Sequence, residues 1–279
     1  MCNVNMSKIN TIIDYRIQVY YKDAPILSEC GDNPHTISPY RIQKEGYNIY
    51  LVYLVTNRGK TLRNLIEGIN QPRQPSSFRK TFRSTFHRNA RINTLDLLLK
   101  LIDTCENLLI SNKLLSQAHI NPDLIWIDYD NNNNIIIKWL DILECDTVYE
   151  NRSETVYWSP ELLSKRNHIL YFNNQISENY LDNTQIKKHM SLKRYDTRPS
   201  TLSTVYSLGL LLYFIVMGKD PHVGSRIHVD ERPDLVNVSP LYSKIIWTAT
   251  EPDPKGRPTL KEFREIVIIA RTPKSKWCI

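Results

Sequence analysis

The run Leu208-Gly-Leu-Leu-Leu-Tyr-Phe-Ile-Val-Met217 is the longest apolar stretch in the chain, and Gly218 follows it directly. A helix that spans a bilayer needs roughly 20 apolar residues, so this run is about half as long as a membrane crossing requires. Gly218 is a typical helix stop. Together with the residues from Thr204 onward, the stretch therefore predicts a buried core helix over 204–217.

Helical patterns also occur on both sides of this core helix. Apolar residues recur at helical spacing between 93 and 115, which predicts a long helix there. A short helix is predicted over 61–67, where Gly68 ends the pattern. On the C-terminal side, one helix is predicted over 241–250 and another after Pro258.

The N-terminal part of the chain has a β pattern instead. Residues 15–22 and 47–55 are dense in β-branched and aromatic residues, which favour strands. Two short apolar runs flank the Asn-rich stretch 130–134, which predicts a hairpin. We expect Trp126 and Trp139, one on each strand, to pack across from each other.

Composition indicates a packed globular protein. The chain has 279 residues, of which 41% are hydrophobic and 23% charged, values that exclude a mostly disordered protein. A net charge of +7 suggests acidic partners.

The N-terminus has no secretory pattern, so we expect a cytoplasmic or nuclear protein. The five cysteines form no CxxC pair, which argues against a zinc site or a disulfide framework: Cys2, Cys30, Cys105, Cys145 and Cys278.

Four short motifs follow one another along the chain. They are Asn121-Pro-Asp-Leu-Ile-Trp-Ile-Asp128, Tyr157-Trp-Ser-Pro-Glu161, the stretch from Ser203 to Pro221 that contains the core helix, and Glu251-Pro-Asp-Pro-Lys-Gly-Arg-Pro-Thr259. In this order they resemble the catalytic loop (K-P-x-N-I-L-x-D), the end of the activation segment (Y-x-A-P-E), the D-V-W-S-L-G helix and the D-P-x-x-R-P-T segment of protein kinases. The chain therefore resembles the protein kinase superfamily, and Arg232-Pro-Asp-Leu235 is most similar to its tyrosine-kinase-like branch.

The resemblance implies an α+β, two-lobed fold. Residues 1–57 would form a reduced, β-rich N-lobe and residues 58–279 a mainly helical C-lobe. Within the C-lobe we expect a basic connector at 69–92 and an inserted loop at 166–200, since the stretch before Thr204 is longer than a kinase needs.

Phosphoryl transfer requires a Gly-rich loop over the phosphates, a strand Lys paired with a helix Glu, two metal ligands and a base. The first glycine of the chain is Gly31, and no G-x-G-x-x-G occurs. Lys22 and Glu29 could be drawn as the pair, but they lie only seven positions apart, which leaves little room for a helix. Surface positions for both are the better interpretation.

The resemblance also implies that the catalytic loop is degenerate. Gln117, Ala118 and His119 stand where kinases have His-Arg-Asp, and Leu124 stands at the metal-binding Asn. A Leu side chain cannot bind a hard cation, which prefers oxygen ligands. Asp141 aligns with the metal-binding Asp of Asp-Phe-Gly, but without the glycine, so we interpret it as a vestige.

Structural positions of the kinase pattern are retained. Glu161 and Arg257 align with the residues that form a buried ion pair in the family, whereas Thr204 replaces the Asp that supports the catalytic loop. Structural residues are kept while chemical ones are lost. The sequence therefore predicts a pseudokinase with no catalytic site, no cofactor and no metal, which acts on a protein partner such as an active kinase as scaffold, decoy or regulator.

Two alternatives stay open. The first is a divergent phosphotransferase that uses Asp141 and His119. The second is a basic adaptor for nucleic acid or an anionic membrane. The connector between Gly68 and Thr94 has no acidic residue, and it could pack on the C-lobe, bind an acidic surface or membrane, or contact nucleic acid through these positive charges: Arg73, Arg79, Lys80, Arg83, Arg88 and Arg91.

Overall fold

The computed structural model describes residues 12–19, 34–46, 48–70, 93–110, 120–132, 134–140, 154–163, 200–221 and 232–272. In these ranges the chain is a mixed α and β protein with a small antiparallel sheet near the N-terminus and several helices. The strands and helices are β1 (Ile12–Val19), β2 (Thr36–Ile37), β3 (Arg41–Glu45), β4 (Asn48–Thr56), β5 (Lys60–Thr61), α1 (Leu62–Asn70), α2 (Thr94–Ile110), β6 (Ile125–Tyr129), β7 (Ile135–Leu140), α3 (Thr201–Met217), α4 (Pro240–Ala249) and α5 (Leu260–Arg271).

The first sheet is antiparallel in the order β1-β4-β3. On one face of its central strand Ile49, Leu51, Tyr53 and Val55 are all buried, and on the other face Val52 is buried as well. The turn between β3 and β4 contains Gly46 with a φ of 61°, a conformation that favours glycine. The predicted strands at 15–22 and 47–55 correspond to β1, which begins three residues earlier, and to β4, which is displaced by one residue, whereas β3 was not predicted; residues 20–22 lie outside the described residues.

The second sheet has the order β2-β7-β6-β5. It confirms the predicted hairpin, whose turn is closed by the Asp130 carboxylate accepting from the backbone amides of Asn132 and Asn134. The expected packing of Trp126 against Trp139 is wrong. Trp126 lies opposite Lys138 and Trp139 opposite Ile125, so the two indoles lie on opposite faces of the hairpin.

Helix α3 confirms the predicted core helix. Its residues from Ser203 to Ile215 are buried, and it contacts α2, α4 and α5. Ser200 caps its N-terminus by accepting from the amide of Ser203, and Gly218 ends it with a φ of 66°. A Cβ on Gly209 would lie 2.7 Å from the Cβ of Ala249, so glycine is needed for the close approach of α3 to the end of α4.

The other helices agree with the sequence apart from their ends. The predicted end of α1 at Gly68 is wrong, because the helix continues to Asn70 and Gly68 stays in the helical conformation. Helix α2 covers the first part of the predicted 93–115 helix, and residues 111–115 lie outside the described residues. Helices α4 and α5 occur where the sequence predicted them.

The chain divides into two compact units, 1–69 with 121–151 and 70–120 with 152–279. This division differs from the boundary predicted between residues 57 and 58. The hairpin groups with the first unit because β6 pairs with β5 and β7 pairs with β2. Among the helices that the structure describes, none has the length and apolar character that a membrane crossing requires.

Candidate functional site

Of the predicted catalytic-loop positions, Leu124 is the one that lies within the described residues. Its side chain is 4% exposed, and its amide donates to the carbonyl of Asn121 at 2.9 Å. Its carbonyl accepts from the amide of Leu140 at 2.8 Å, which fixes the loop to the end of β7. The other predicted positions, Gln117, Ala118, His119 and Asp141, lie outside the described residues.

The loop before Leu124 is held by the side chain of Arg63 on α1. The Arg63 Nε lies 2.8 and 2.9 Å from the two carboxylate oxygens of Asp123, and the Arg63 amide donates to the carbonyl of Pro122 at 3.1 Å. Arg63 also lies 3.5 Å from a carboxylate oxygen of Glu67. The one carboxylate of this loop is therefore bound by a guanidinium, which gives it a structural role.

An aromatic contact joins the two sheets of the first unit. The ring centroids of Tyr15 on β1 and Trp126 on β6 lie 5.1 Å apart with an interplanar angle of 58°, a tilted geometry that is favourable for aromatic pairs. Trp126 is 3% exposed. Burial raises the pKa of Tyr15, and the negative charge of Asp123 raises it further, so Tyr15 carries no charge at neutral pH.

The indole of Trp126 also lies directly against the backbone of Gly59. A Cβ built on Gly59 would be 2.1 Å from the Trp126 Nε1, which is far inside van der Waals contact. Neither Gly59 nor Tyr15 belongs to the positions that the sequence pattern singled out. No local signal predicts them, because their roles follow from the pairing of β1 with β4 and of β5 with β6.

The structure brings Glu161 and Arg257 together. Two nitrogens of the guanidinium donate to the two carboxylate oxygens at 2.8 and 2.9 Å, and the Arg257 side chain is fully buried. Arg257 also donates to the carbonyls of Leu202 and Pro252, and lies 4.8 Å from the ring centroid of Tyr206. Burial raises the pKa of Tyr206 to about 12.

Burial alone would raise the pKa of Glu161. The hydrogen bonds from Arg257 and the guanidinium charge act in the opposite direction, and the pKa of Glu161 lies below its ordinary value. The carboxylate is therefore charged at neutral pH, as an ion pair with a buried guanidinium requires.

The segment that carries Glu161 is also attached to α3. The Tyr157 hydroxyl donates to the Asp220 carboxylate at 2.6 Å, and the Ser207 hydroxyl donates to the Tyr157 carbonyl at 2.6 Å. Thr204, which the sequence resemblance aligns with the supporting Asp, uses its hydroxyl within α3 by donating to the Ser200 carbonyl at 3.1 Å.

The predicted interaction residues of the connector, from Arg73 to Arg91, lie outside the described residues, as do 166–199 of the predicted insertion. Within the described ranges, no cluster of three or more His, Cys, Asp or Glu side chains could hold a metal ion. Comparison of the sequence with protein-family models and with curated proteins finds no match to either.

Proposed function

We propose that the chain is a two-lobed, kinase-like domain without phosphoryl-transfer activity, which acts by binding a protein partner in the cytoplasm or nucleus. Its role would be that of a scaffold, a decoy or an allosteric regulator, and an active kinase is one partner that such a domain would fit. The observation that carries the proposal is the buried Leu124 in the loop between α2 and β6.

Leu124 occupies the position that in the kinase pattern supplies a metal ligand. Magnesium ions require oxygen ligands, and an apolar side chain in this position offers none. The loop around it is closed by its own hydrogen bonds, since the Asp123 amide donates to the Asn121 side chain and Arg63 donates to the Asp123 carboxylate, so this carboxylate is also occupied. The lack of a G-x-G-x-x-G sequence points the same way, since phosphate cannot approach the backbone closely without glycines.

The order of the elements supports the kinase-like part of the proposal. An antiparallel sheet is followed by helices, a hairpin, the segment with Glu161 and then the core helix α3, which is the order that the motifs predict. The ion pair of Glu161 with Arg257 fixes that segment next to the segment that precedes α5. Contacts that stabilise the fold are therefore present, whereas residues that phosphoryl transfer would need are missing.

A thermal-shift titration of the full chain with ATP and Mg²⁺ tests the proposal. A ligand at 100 times its Kd stabilises a protein by about 2.7 kcal/mol, which is readily measured. We expect no Mg²⁺-dependent rise in Tm, with ATP in EDTA as the control. A saturable, Mg²⁺-dependent rise would overturn the proposal in favour of the divergent phosphotransferase.

A second measurement separates the proposal from the basic-adaptor alternative. Binding to an oligonucleotide is measured at increasing salt, for the natural chain and for a variant with Arg79, Lys80 and Arg83 changed to Ala. We expect weak binding that the three substitutions leave unchanged. Tight binding that falls steeply with salt and is lost in the variant would support the adaptor instead.

A further inference from the structure

We infer that β1 pairs with β1 of a second copy of this chain, so that two molecules join their sheets edge to edge. In the sheet order β1-β4-β3, β1 is an edge strand, and all eight of its residues pair with β4 on one side. Among the strands that the structure describes, none pairs with the other side of β1. The backbone N–H and C=O groups of such an edge form a template for pairing with another strand. The inference requires this strand pairing alone and does not depend on the kinase-like fold.

The sequence of β1 is self-complementary about Tyr15. Residues 13–17 read Ile-Asp-Tyr-Arg-Ile, so an acidic and a basic residue flank the tyrosine at equal distances. In an antiparallel pair of two β1 strands centred on Tyr15, Asp14 of each copy lies opposite Arg16 of the other. Opposite charges in this position stabilise a strand pair, and like charges destabilise it. The register therefore gives two attractive pairs about one twofold axis, as a symmetric dimer requires.

Other registers of the same two strands are less favourable. A shift by two residues in either direction sets Asp14 opposite Asp14 or Arg16 opposite Arg16, and each shift also removes the attractive pairs. A shift by one residue sets the charged face of one copy beside the face that carries Tyr15 in the other, because side chains alternate between the faces. The charges of β1 therefore select the register centred on Tyr15.

The same register also joins apolar side chains. Side chains alternate between the faces of a strand, so the face with Tyr15 also carries Ile13 and Ile17. In the register centred on Tyr15, Ile13 of each copy lies opposite Ile17 of the other. Ile13 is 42% exposed, so the pairing buries apolar surface that the described part of the chain leaves in contact with solvent. Apolar and charged contacts therefore favour one and the same arrangement.

The two charged side chains keep the capacity to bind a second copy. Arg16 donates to the Glu45 carboxylate through Nη1 at 2.7 Å, and a guanidinium carries several further N–H donors. The Asp14 carboxylate accepts from the Tyr40 hydroxyl at 3.1 Å and from Arg41 at 3.4 Å, and both contacts are long for hydrogen bonds. The side chains are 52% exposed for Asp14 and 46% exposed for Arg16. Both charges can therefore be reached from the open edge of β1.

A charge exchange between two variants tests the register. Asp14→Arg gives β1 two positive charges, and Arg16→Asp gives it two negative charges, so in either variant alone like charges lie opposite each other. An equal mixture of the two variants restores the attraction, because each positive side chain of one copy then faces a negative one of the other. Lys44→Asp is the matched control, since it also replaces an exposed cation by an aspartate, but on β3 at the opposite edge of the sheet.

Sedimentation equilibrium of the full chain from about 1 μM to about 1 mM measures the Kd of dimerisation over the range of weak complexes. We expect the natural chain and Lys44→Asp to dimerise with a similar Kd. Each β1 variant alone should dimerise at least about tenfold more weakly, and the equal mixture should associate about as tightly as the natural chain.

Three results would contradict the inference. They are a natural chain that stays monomeric over this range, β1 variants that dimerise as tightly as the natural chain, and an equal mixture that associates no better than its components. Circular dichroism checks that each variant is folded. Should a charge reversal prevent folding, Asp14→Asn and Arg16→Gln replace the two variants, and each should weaken dimerisation by about threefold. A folded neutral variant with an unchanged Kd overturns the inference in the same way.

Discussion

Two nitrogens of the fully buried Arg257 guanidinium bind the two carboxylate oxygens of Glu161, at 2.8 and 2.9 Å. The two residues lie 96 positions apart in the chain, so this ion pair fixes the segment around Tyr157 next to the segment that precedes α5. Its neighbours are the carbonyls of Leu202 and Pro252 and the ring of Tyr206, which leave the guanidinium no access to water.

Removing the carboxylate is expected to destabilise the fold strongly. Glu161→Ala leaves a buried cation without its counter-ion, a change that typically costs about 3–5 kcal/mol. We expect a loss near 3 kcal/mol, because the carbonyls of Leu202 and Pro252 still accept from Arg257. Chemical unfolding measures the loss, and Asp103→Ala serves as the control, since Asp103 also binds an arginine but both side chains are at least 40% exposed. Equal losses in the two variants would contradict the special role of Glu161.

The same pair predicts how stability depends on pH. The folded-state pKa of Glu161 is lowered, so its contribution is fully present above the unfolded pKa of about 4.3 and is lost as the pH falls through the folded value. The difference in unfolding free energy between the natural chain and Glu161→Gln should therefore be constant from pH 7 down to about 5 and shrink below about 4. Chemical unfolding at a series of pH values checks this, and a difference that grows on acidification would contradict it.

Two ion pairs between α2 and α5 are expected to contribute little. Asp103 binds Arg264 at 2.8 Å, and Asp96 binds Arg271. The two aspartates are seven residues apart on α2, and the two arginines are seven residues apart on α5. The side chains are at least 37% exposed, and exposed pairs contribute about 0.2–1 kcal/mol. A double-mutant cycle with Asp103→Ala and Arg264→Ala should give a coupling in this range that falls at high salt. A coupling above about 2 kcal/mol would show that the solvent exposure of this pair does not weaken it.

The sequence predicts local structure well where a short pattern decides it. The core helix and its stop at Gly218 follow from a ten-residue, mostly apolar run and the glycine after it, and the Asn-rich turn follows from Asp130 and the asparagines after it. The Glu161–Arg257 pair could be anticipated because both residues lie within recognisable motifs.

Features that depend on distant pairing could not be predicted in this way. Strand β2 consists of two residues that pair in parallel with β7, about 100 positions away, and no local pattern indicates it. The faces of Trp126 and Trp139 depend on the register of the hairpin, which the Asn-rich turn alone does not determine. The contact of Tyr15 with Trp126 requires both sheets of the first unit, so only the folded chain reveals it.

The close approach of Gly59 to Trp126 gives the sharpest prediction about packing. A methyl group at position 59 would lie 2.1 Å from the Nε1 and 2.5 Å from the Cε2 of a rigid, buried ring. The ring has no room to move, since Tyr15 contacts it and Thr61 lies opposite it. We expect Gly59→Ala to destabilise the chain by about 3 kcal/mol, at the upper end of what overpacking usually costs.

Gly68→Ala is the matched control, because the same methyl group is added where the structure has space. Gly68 lies within α1, and nothing is found within 4 Å of a Cβ built there. In a helix interior alanine is favoured over glycine by about 0.5–1 kcal/mol, so this variant should be more stable than the natural chain. Chemical unfolding of both variants measures the two effects. Because the signs are opposite, a stable Gly59→Ala would show that Trp126 is not held against the backbone of Gly59.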